Sequence, residues 1–259
     1  KVSVAISMII DGRVIARRML ERLKRFKTKK TFAAILVGRD PASLYFLKQQ
    51  KERAAKELGI SFALHQLPGT VSRAKLYQKI RELNNDPEVG GMVLQLPLPK
   101  RFDRDGAVRL IDERKDVDGL NFPGLVLPPA VSVVQKILKE AEVRHLDGKR
   151  VAIIGRGFLV GRPVAEWLTG RVKKLTVFHR GFFPKPLLKE ADIVISGIGR
   201  PRYIRSAWIK RNAVLIDFGY ARTNGRITGD FDLEPCEKKA AFITPTPGGT
   251  GPILVAQLF

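Results

Sequence analysis

The chain is short of cysteine, of histidine, of acidic residues and of long apolar runs. A single cysteine, Cys236, excludes an internal disulfide framework and a multi-cysteine zinc site. It also makes a reducing, cytoplasmic location the default expectation, and no metal site is expected. No run approaches the roughly 20 apolar residues of a membrane span, so no membrane partner is expected. The stretch VSVAISMII at 2–10 is too short to span and lacks a small-residue cleavage site, so it is not read as a signal peptide. The acidic deficit is large: Asp+Glu 25 against Lys+Arg 47, a formal net charge of +22. Such an excess attracts polyanions, either nucleic acid or small phosphorylated or polycarboxylate ligands. The cations are spread along the chain in no block of five or more. No zinc-finger spacing or aromatic-rich RNA-binding signature accompanies them. Nucleic acid is therefore not the expected partner, and a generally basic surface is the plain alternative.

What is present is an alternation. A length of 259 residues with 44% hydrophobic content provides ample core for one large or two moderate domains. Short β-branched apolar runs lie at 31–38, 90–99, 150–157, 175–179, 192–199, 213–219 and 240–247. Amphipathic helical patterns lie near 12–27, 43–58, 72–84, 129–142 and 162–171. Buried continuous runs alternating with helices predict parallel sheets in an α/β architecture. The Gly- and Pro-rich stretch DGLNFPGLVLPPA interrupts the alternation and places a domain boundary around 120–130.

The segment GKRVAIIGRGFLVGRPVAEWL predicts a strand, a turn with Gly155, Gly157 and Gly161, and a helix. Glycines there allow a sharp turn and the approach of a pyrophosphate to the helix N-terminus. The spacing is one residue longer than the usual dinucleotide fingerprint. A tight strand–helix turn without a ligand would read the same way. The next strand bears on the choice: an NAD site wants an acid about 20 residues on. Here that strand ends in His179 and Arg180. Arg156 and Arg180 would suit a 2′-phosphate, so NADP is expected over NAD.

Taken together, several stretches resemble one family, the bifunctional methylenetetrahydrofolate dehydrogenase/methenyltetrahydrofolate cyclohydrolases, called FolD in bacteria. They are IDGRVIA, LVGRDPAS, KERAAKELGI, GGMVLQLPLP, KDVDGLN, GRGFLVGRPVA, ADIVISGIGRP, AVLIDFGY, ITGDFD and TPTPGGTGP, in the family's order and over nearly the whole chain. The resemblance implies two α/β domains with a cleft between them, the second a Rossmann-like parallel sheet. Residues 1–125 would form the folate-binding catalytic domain, with about 245–259 packing back on it. Residues 126–244 would form the NADP-binding domain. It also implies a homodimer, oxidation of 5,10-methylenetetrahydrofolate with NADP, and hydrolysis of the methenyl product to 10-formyltetrahydrofolate. A member that keeps one activity is the alternative within the family. A basic nucleic-acid-binding protein on the same fold is the alternative outside it.

The resemblance assigns roles by position. Lys51 stands eight residues before Gly59 and matches the catalytic lysine. Gln95 matches the amide that orients it, beside Leu96 on the folate wall. Asp118 matches the carboxylate that holds the pterin, because a carboxylate accepts from two adjacent N–H groups. Pro247 and Gly251 lie in a loop that closes on folate and nicotinamide. Ser196, Gly197, Gly199 and Tyr220 lie where the cofactor crosses the sheet edge. In the hydride step the protein mainly positions C4 of the nicotinamide against the methylene carbon.

This chain departs from the family most clearly at the aromatic that packs on folate. The family has a tyrosine four residues before the lysine, about 400° of α-helix and hence one face. Counting back from Lys51 gives Leu47, whereas counting forward from DPAS gives Phe46. The chain carries one extra residue here, which a π-bulge or a shifted helix start would absorb. Phe46 is the expected aromatic. Gly157 and Arg180 stand where serines are usual, and LPPAV replaces a Pro-Cys-Thr-Pro motif. The loop after KDVDGLN looks shorter than usual, and the usual final helix short or missing.

Overall fold

The computed structural model describes residues 8–121, 123–179, 185–223 and 225–259. Along the chain the strands are β1 (Met8–Ile9), β2 (Thr31–Val37), β3 (Ser61–Leu67) and β4 (Val89–Leu94). There follow β5 (Arg150–Ile154), β6 (Lys174–Phe178), β7 (Ile193–Ser196) and β8 (Val214–Asp217). Last come β9 (Ala221–Thr223), β10 (Arg226–Thr228) and β11 (Phe242–Ile243). Two compact units hold them. One comprises Arg17–Pro129 and Val255–Phe259; the other Ala130–Leu254 and the described part of Lys1–Ala16.

The first unit has a three-stranded parallel sheet in the order β3-β2-β4. Its centre is β2, where Phe32 to Val37 are all buried. That is the continuous apolar run expected of a strand covered on both faces. The helix Arg73–Asn85 starts where the Ser72 hydroxyl accepts the Lys75 N–H. Leu76, Ile80 and Leu83 form its buried stripe. Leu258 and the tilted ring of Phe259, 4.9 Å from Phe32, complete this core.

The second unit has a six-stranded, all-parallel sheet in the order β1-β11-β8-β7-β5-β6. The helix Pro129–Glu140 enters this unit and buries Ala130, Val131, Val133, Val134, Ile137 and Leu138. An antiparallel hairpin joins β9 to β10. Among the described residues no helix is long and apolar enough to cross a membrane. Part of the stretch at 2–10 lies outside the described residues.

Three features differ from the sequence expectation. Strand β3 was not expected: its SFALHQL pattern is interrupted by His65 and Gln66, because it is a half-exposed edge. Strand β1 pairs with β11, so the start of the chain groups with the second unit and not the first. Of the terminal segment 245–259, only Val255–Phe259 groups with the first unit.

Candidate active site

Lys51 lies in a helical run from Pro41 to Leu58 that changes pitch twice. The α-helix Pro41–Phe46 starts on Asp40, whose carboxylate accepts the Ser43 N–H at 2.8 Å. A π-helical segment, Leu47–Glu52, follows, and an α-helix resumes over Arg53–Leu58 until Gly59 ends it at φ 69°. The π segment absorbs the extra residue. On an α-helix, residues five apart are about 500° of turn apart, some 140° out of register. In a π-helix the i→i+5 hydrogen bonding brings them to one face. Phe46 and Lys51 are such a pair, with the lysine Nζ 5.4 Å from the ring centroid.

Lys51 is 3% exposed, and its Nζ donates to Gln95 Oε1 at 3.3 Å. Gln95 follows β4. Its backbone N–H is held by Ile35 O, and its side-chain amide donates to Leu96 O at 2.9 Å. The lysine side chain therefore meets a dipole that is itself fixed. Burial pushes the Lys51 amine below its ordinary value, and the charge of Asp118 works in the opposite direction. Magnitudes decide the balance: burying an ammonium costs several kcal/mol. One hydrogen bond from the charged amine to a neutral amide returns about 1.5–3 kcal/mol. Burial therefore makes the Lys51 ammonium give up its proton more readily than an exposed lysine would.

Asp118 is half-buried at the end of a short loop. The loop is pinned by Asp116, which forms a bridge with Met92 and whose carboxylate accepts the Asn121 N–H at 2.9 Å. Burial pushes the Asp116 carboxyl up. Gly119 turns the chain at φ 56°, where a Cβ would stand 2.9 Å from Pro128. Leu96 is half-buried beside Gln95.

In the second unit, β5 runs into Gly155 at φ 102°, whose N–H is held by Phe178 O. Gly161 opens the helix Gly161–Leu168 so close to this turn that a Cβ would stand 1.8 Å from Gly155 O. A backbone cradle that excludes side chains is what a pyrophosphate needs. Arg156, Gly157 and His179 are exposed around it. Arg180 lies outside the described residues. Gly197 and Gly199, the latter at φ 64°, follow β7, with exposed Tyr220 after β8. The loop after β11 carries exposed Pro247, whereas Gly251, expected in the same loop, lies half-buried in the first turn of the helix Thr250–Ala256 that follows it. Gly12 seats this loop, since a Cβ there would stand 1.7 Å from Gly249 O.

Residues 10–118 match the catalytic domain of tetrahydrofolate dehydrogenase/cyclohydrolase, and residues 128–259 match its NAD(P)-binding domain. The chain belongs to the tetrahydrofolate dehydrogenase/cyclohydrolase family. It is 38% identical to the bifunctional protein FolD of Aquifex aeolicus, over 97% of this chain and 92% of that one. The crystal structure of the Campylobacter jejuni FolD enzyme superposes with a TM-score of 0.90 at 34% identity, covering 97% and 95% of the two chains. The Trypanosoma brucei enzyme, solved with NADP and an inhibitor, gives 0.88 at 30% identity over 97% and 94%.

Within this family frame two of the expected contacts need correction. Leu47 is fully buried among Phe32, Ala34, Leu36 and Val93, so it is core and does not line a binding surface. The Ser196 hydroxyl is also fully buried and donates to Asp230 Oδ2 at 2.7 Å, so it has no free face for a cofactor. Lys51, Gln95 and Phe46 come together around one amine. Asp217 and Asp230, inside the AVLIDFGY and ITGDFD stretches, are buried acids to which the resemblance assigns no role. The signal available was an acid at a strand end with a glycine two residues on, in IDFG.

Proposed function

We propose that this protein oxidises 5,10-methylenetetrahydrofolate with NADP and hydrolyses the methenyl product to 10-formyltetrahydrofolate. The observation that carries the hydrolytic half is the buried Lys51 amine held at 3.3 Å by a neutral amide. Its proton-free form takes a proton from the water that attacks the methenyl carbon. The ammonium so formed passes that proton to N5 as its bond to the former methenyl carbon breaks, and the remaining hydroxyl proton leaves to solvent as the formyl C=O on N10 forms. Gln95 orients the amine without adding a charge that would lock it as ammonium. The Phe46 ring supports the transient cation and offers an apolar face to the folate. Asp118 accepts two N–H groups from the pterin. Leu96 belongs to the same wall.

The second unit is read as the NADP-binding domain and the first as the folate domain. The cradle of Gly155 and Gly161 fits a dinucleotide, since a Cβ would fill it. Arg156, Gly157 and His179 would hold its phosphates, with Gly197, Gly199 and Tyr220 along the sheet edge. The loop with Pro247, and Gly251 in the helix turn that follows it, would lie against the ligands. When bound, NADP accepts the hydride from the methylene carbon. A cytoplasmic homodimer is part of the same proposal.

The test is spectroscopic. Purified protein with 5,10-methylenetetrahydrofolate and NADP raises the methenyl absorbance, and supplied methenyl substrate loses it. No rise with either nicotinamide cofactor would sink the dehydrogenase half. In the same assay Phe46→Ala raises the folate KM by about 2- to 10-fold, the worth of one aromatic contact. Phe46→Tyr leaves it near wild type. An unchanged KM in Phe46→Ala would remove Phe46 from the folate site.

A further inference from the structure

Two aspartates at the C-terminal edge of the six-stranded sheet have no part in the chemistry above. Asp217 ends β8 and is 2% exposed, and Asp230, thirteen residues on, is 0% exposed. The Asp230 carboxylate accepts the Ser196 hydroxyl at 2.7 Å and the N–H groups of Ile198 and Arg200 at 2.8 and 2.7 Å. The Asp217 carboxyl accepts the N–H groups of Gly219, Asp230 and Phe231 at 2.7, 3.2 and 3.3 Å. Its backbone N–H donates to Thr244 Oγ1, and its carbonyl accepts the Thr250 hydroxyl. The pair thus ties together the ends of β7 and β8, the segment after β10 and the loop after β11. Glycines make room for it. A Cβ on Gly219 would meet Asp230 Cγ at 2.3 Å, and one on Gly229 would meet Asp217 Oδ2 at 2.1 Å.

Two buried acids are a costly way to hold loops together. Removing charge from water costs several kcal/mol per ion, and apolar packing often serves stability as well or better. What these acids do that apolar side chains cannot is accept backbone N–H groups of loops at the sheet's C-terminal edge. That edge is where open parallel α/β sheets bind their ligands. Burial, and then the neighbouring Asp230, push the Asp217 carboxyl up to about 7. Among the described residues both carboxyls face only N–H or O–H donors, so each is matched to its loops as an acceptor.

We propose that Asp217 and Asp230 are positioning residues for the nicotinamide nucleotide. Asp230 sets the Gly197–Gly199 loop, and Asp217 sets the Gly219 turn and the 244–250 loop. The inference rests on reading the Gly197–Gly199 loop as a cofactor contact. NADP affinity of the full chain, measured by titration calorimetry, tests it beside methenyl hydrolysis, which needs no NADP and reports an intact first unit. Asp230→Asn turns an amide NH2 toward N–H donors. It should raise the Kd for NADP at least about tenfold, the scale of one charge-assisted hydrogen bond, with hydrolysis unchanged. Asp217→Asn likewise turns an amide NH2 toward an N–H donor and should raise the Kd, and Asp217→Leu, which accepts nothing, should raise it at least as much. A wild-type Kd in Asp230→Asn, with hydrolysis intact, overturns the proposal. So does a wild-type Kd in Asp217→Leu with hydrolysis intact. If Asp230→Asn fails to fold, Ser196→Ala removes one donor to Asp230, and an unchanged Kd there overturns the proposal equally. Gly199→Val separates the two readings: an unchanged Kd in that variant removes the loop from the cofactor site itself.

Discussion

Lys51→Met is expected to lower the rate of methenyltetrahydrofolate hydrolysis by about 10²- to 10⁴-fold, the usual worth of a general acid–base group. The variant should remain folded, because methionine nearly matches the lysine stem in volume and puts no polar group into a site that is 3% exposed. Loss of activity then reports chemistry and not collapse. The oxidation step needs no proton shuttle of this kind, so the methenyl product should accumulate when NADP and the methylene substrate are supplied. Stopped-flow absorbance would follow both steps in one sample. Wild-type hydrolysis in Lys51→Met would move the role to another residue, with the exposed Lys48 the first candidate.

Gly161→Ala should be the most damaging single change on the cofactor side. Its Cβ would stand 1.8 Å from Gly155 O, 2.8 Å from Gly155 C and 3.1 Å from Arg156 Cα. All three are backbone atoms, and no side chain can swing away to relieve them. The turn between β5 and the following helix must open. Overpacking of this kind costs about 1–3 kcal/mol or more and moves the cradle itself. The Kd for NADP should rise at least about tenfold, equivalent to about 1.4 kcal/mol, with a lower Tm. Gly148→Ala, which meets nothing within 4 Å, is the control and should leave both near wild type. An unchanged Kd in Gly161→Ala would show that the cofactor does not depend on this turn.

How much could be read from residues alone varied with the range of the interaction. The strand at β2 and the turn after β5 depend on local runs and glycine spacing, and both were legible. The one-residue surplus before Lys51 was legible as a count. Its resolution was left open, because π and α turns share the same residue types and differ in which neighbours they pair. The π segment returns Phe46 to the lysine's face and sends Leu47 into the core. Strand β3 was missed because an edge strand needs only half of an apolar pattern, and His65 and Gln66 mask what is left. The Asp217–Asp230 pair was missed for a different reason. Its partners lie at Ser196, Ile198, Arg200, Gly219, Thr244 and Thr250, brought together only by the sheet. The acid-x-Gly pattern at Asp217 marks a turn but not its distant partners, and nothing local to Asp230 marks it as buried.

Burial weakens the hold of the Lys51 amine on its proton, and the hydrolytic step depends on this. Side-chain NMR titration of the isotope-labelled protein, with the Lys51 signal assigned by its loss in Lys51→Met, reads this directly. The account predicts an apparent pKa below the ordinary lysine value of about 10.4, and an upward shift in Gln95→Glu, where a carboxylate would favour the ammonium. A Lys51 pKa at or above the ordinary value would contradict it.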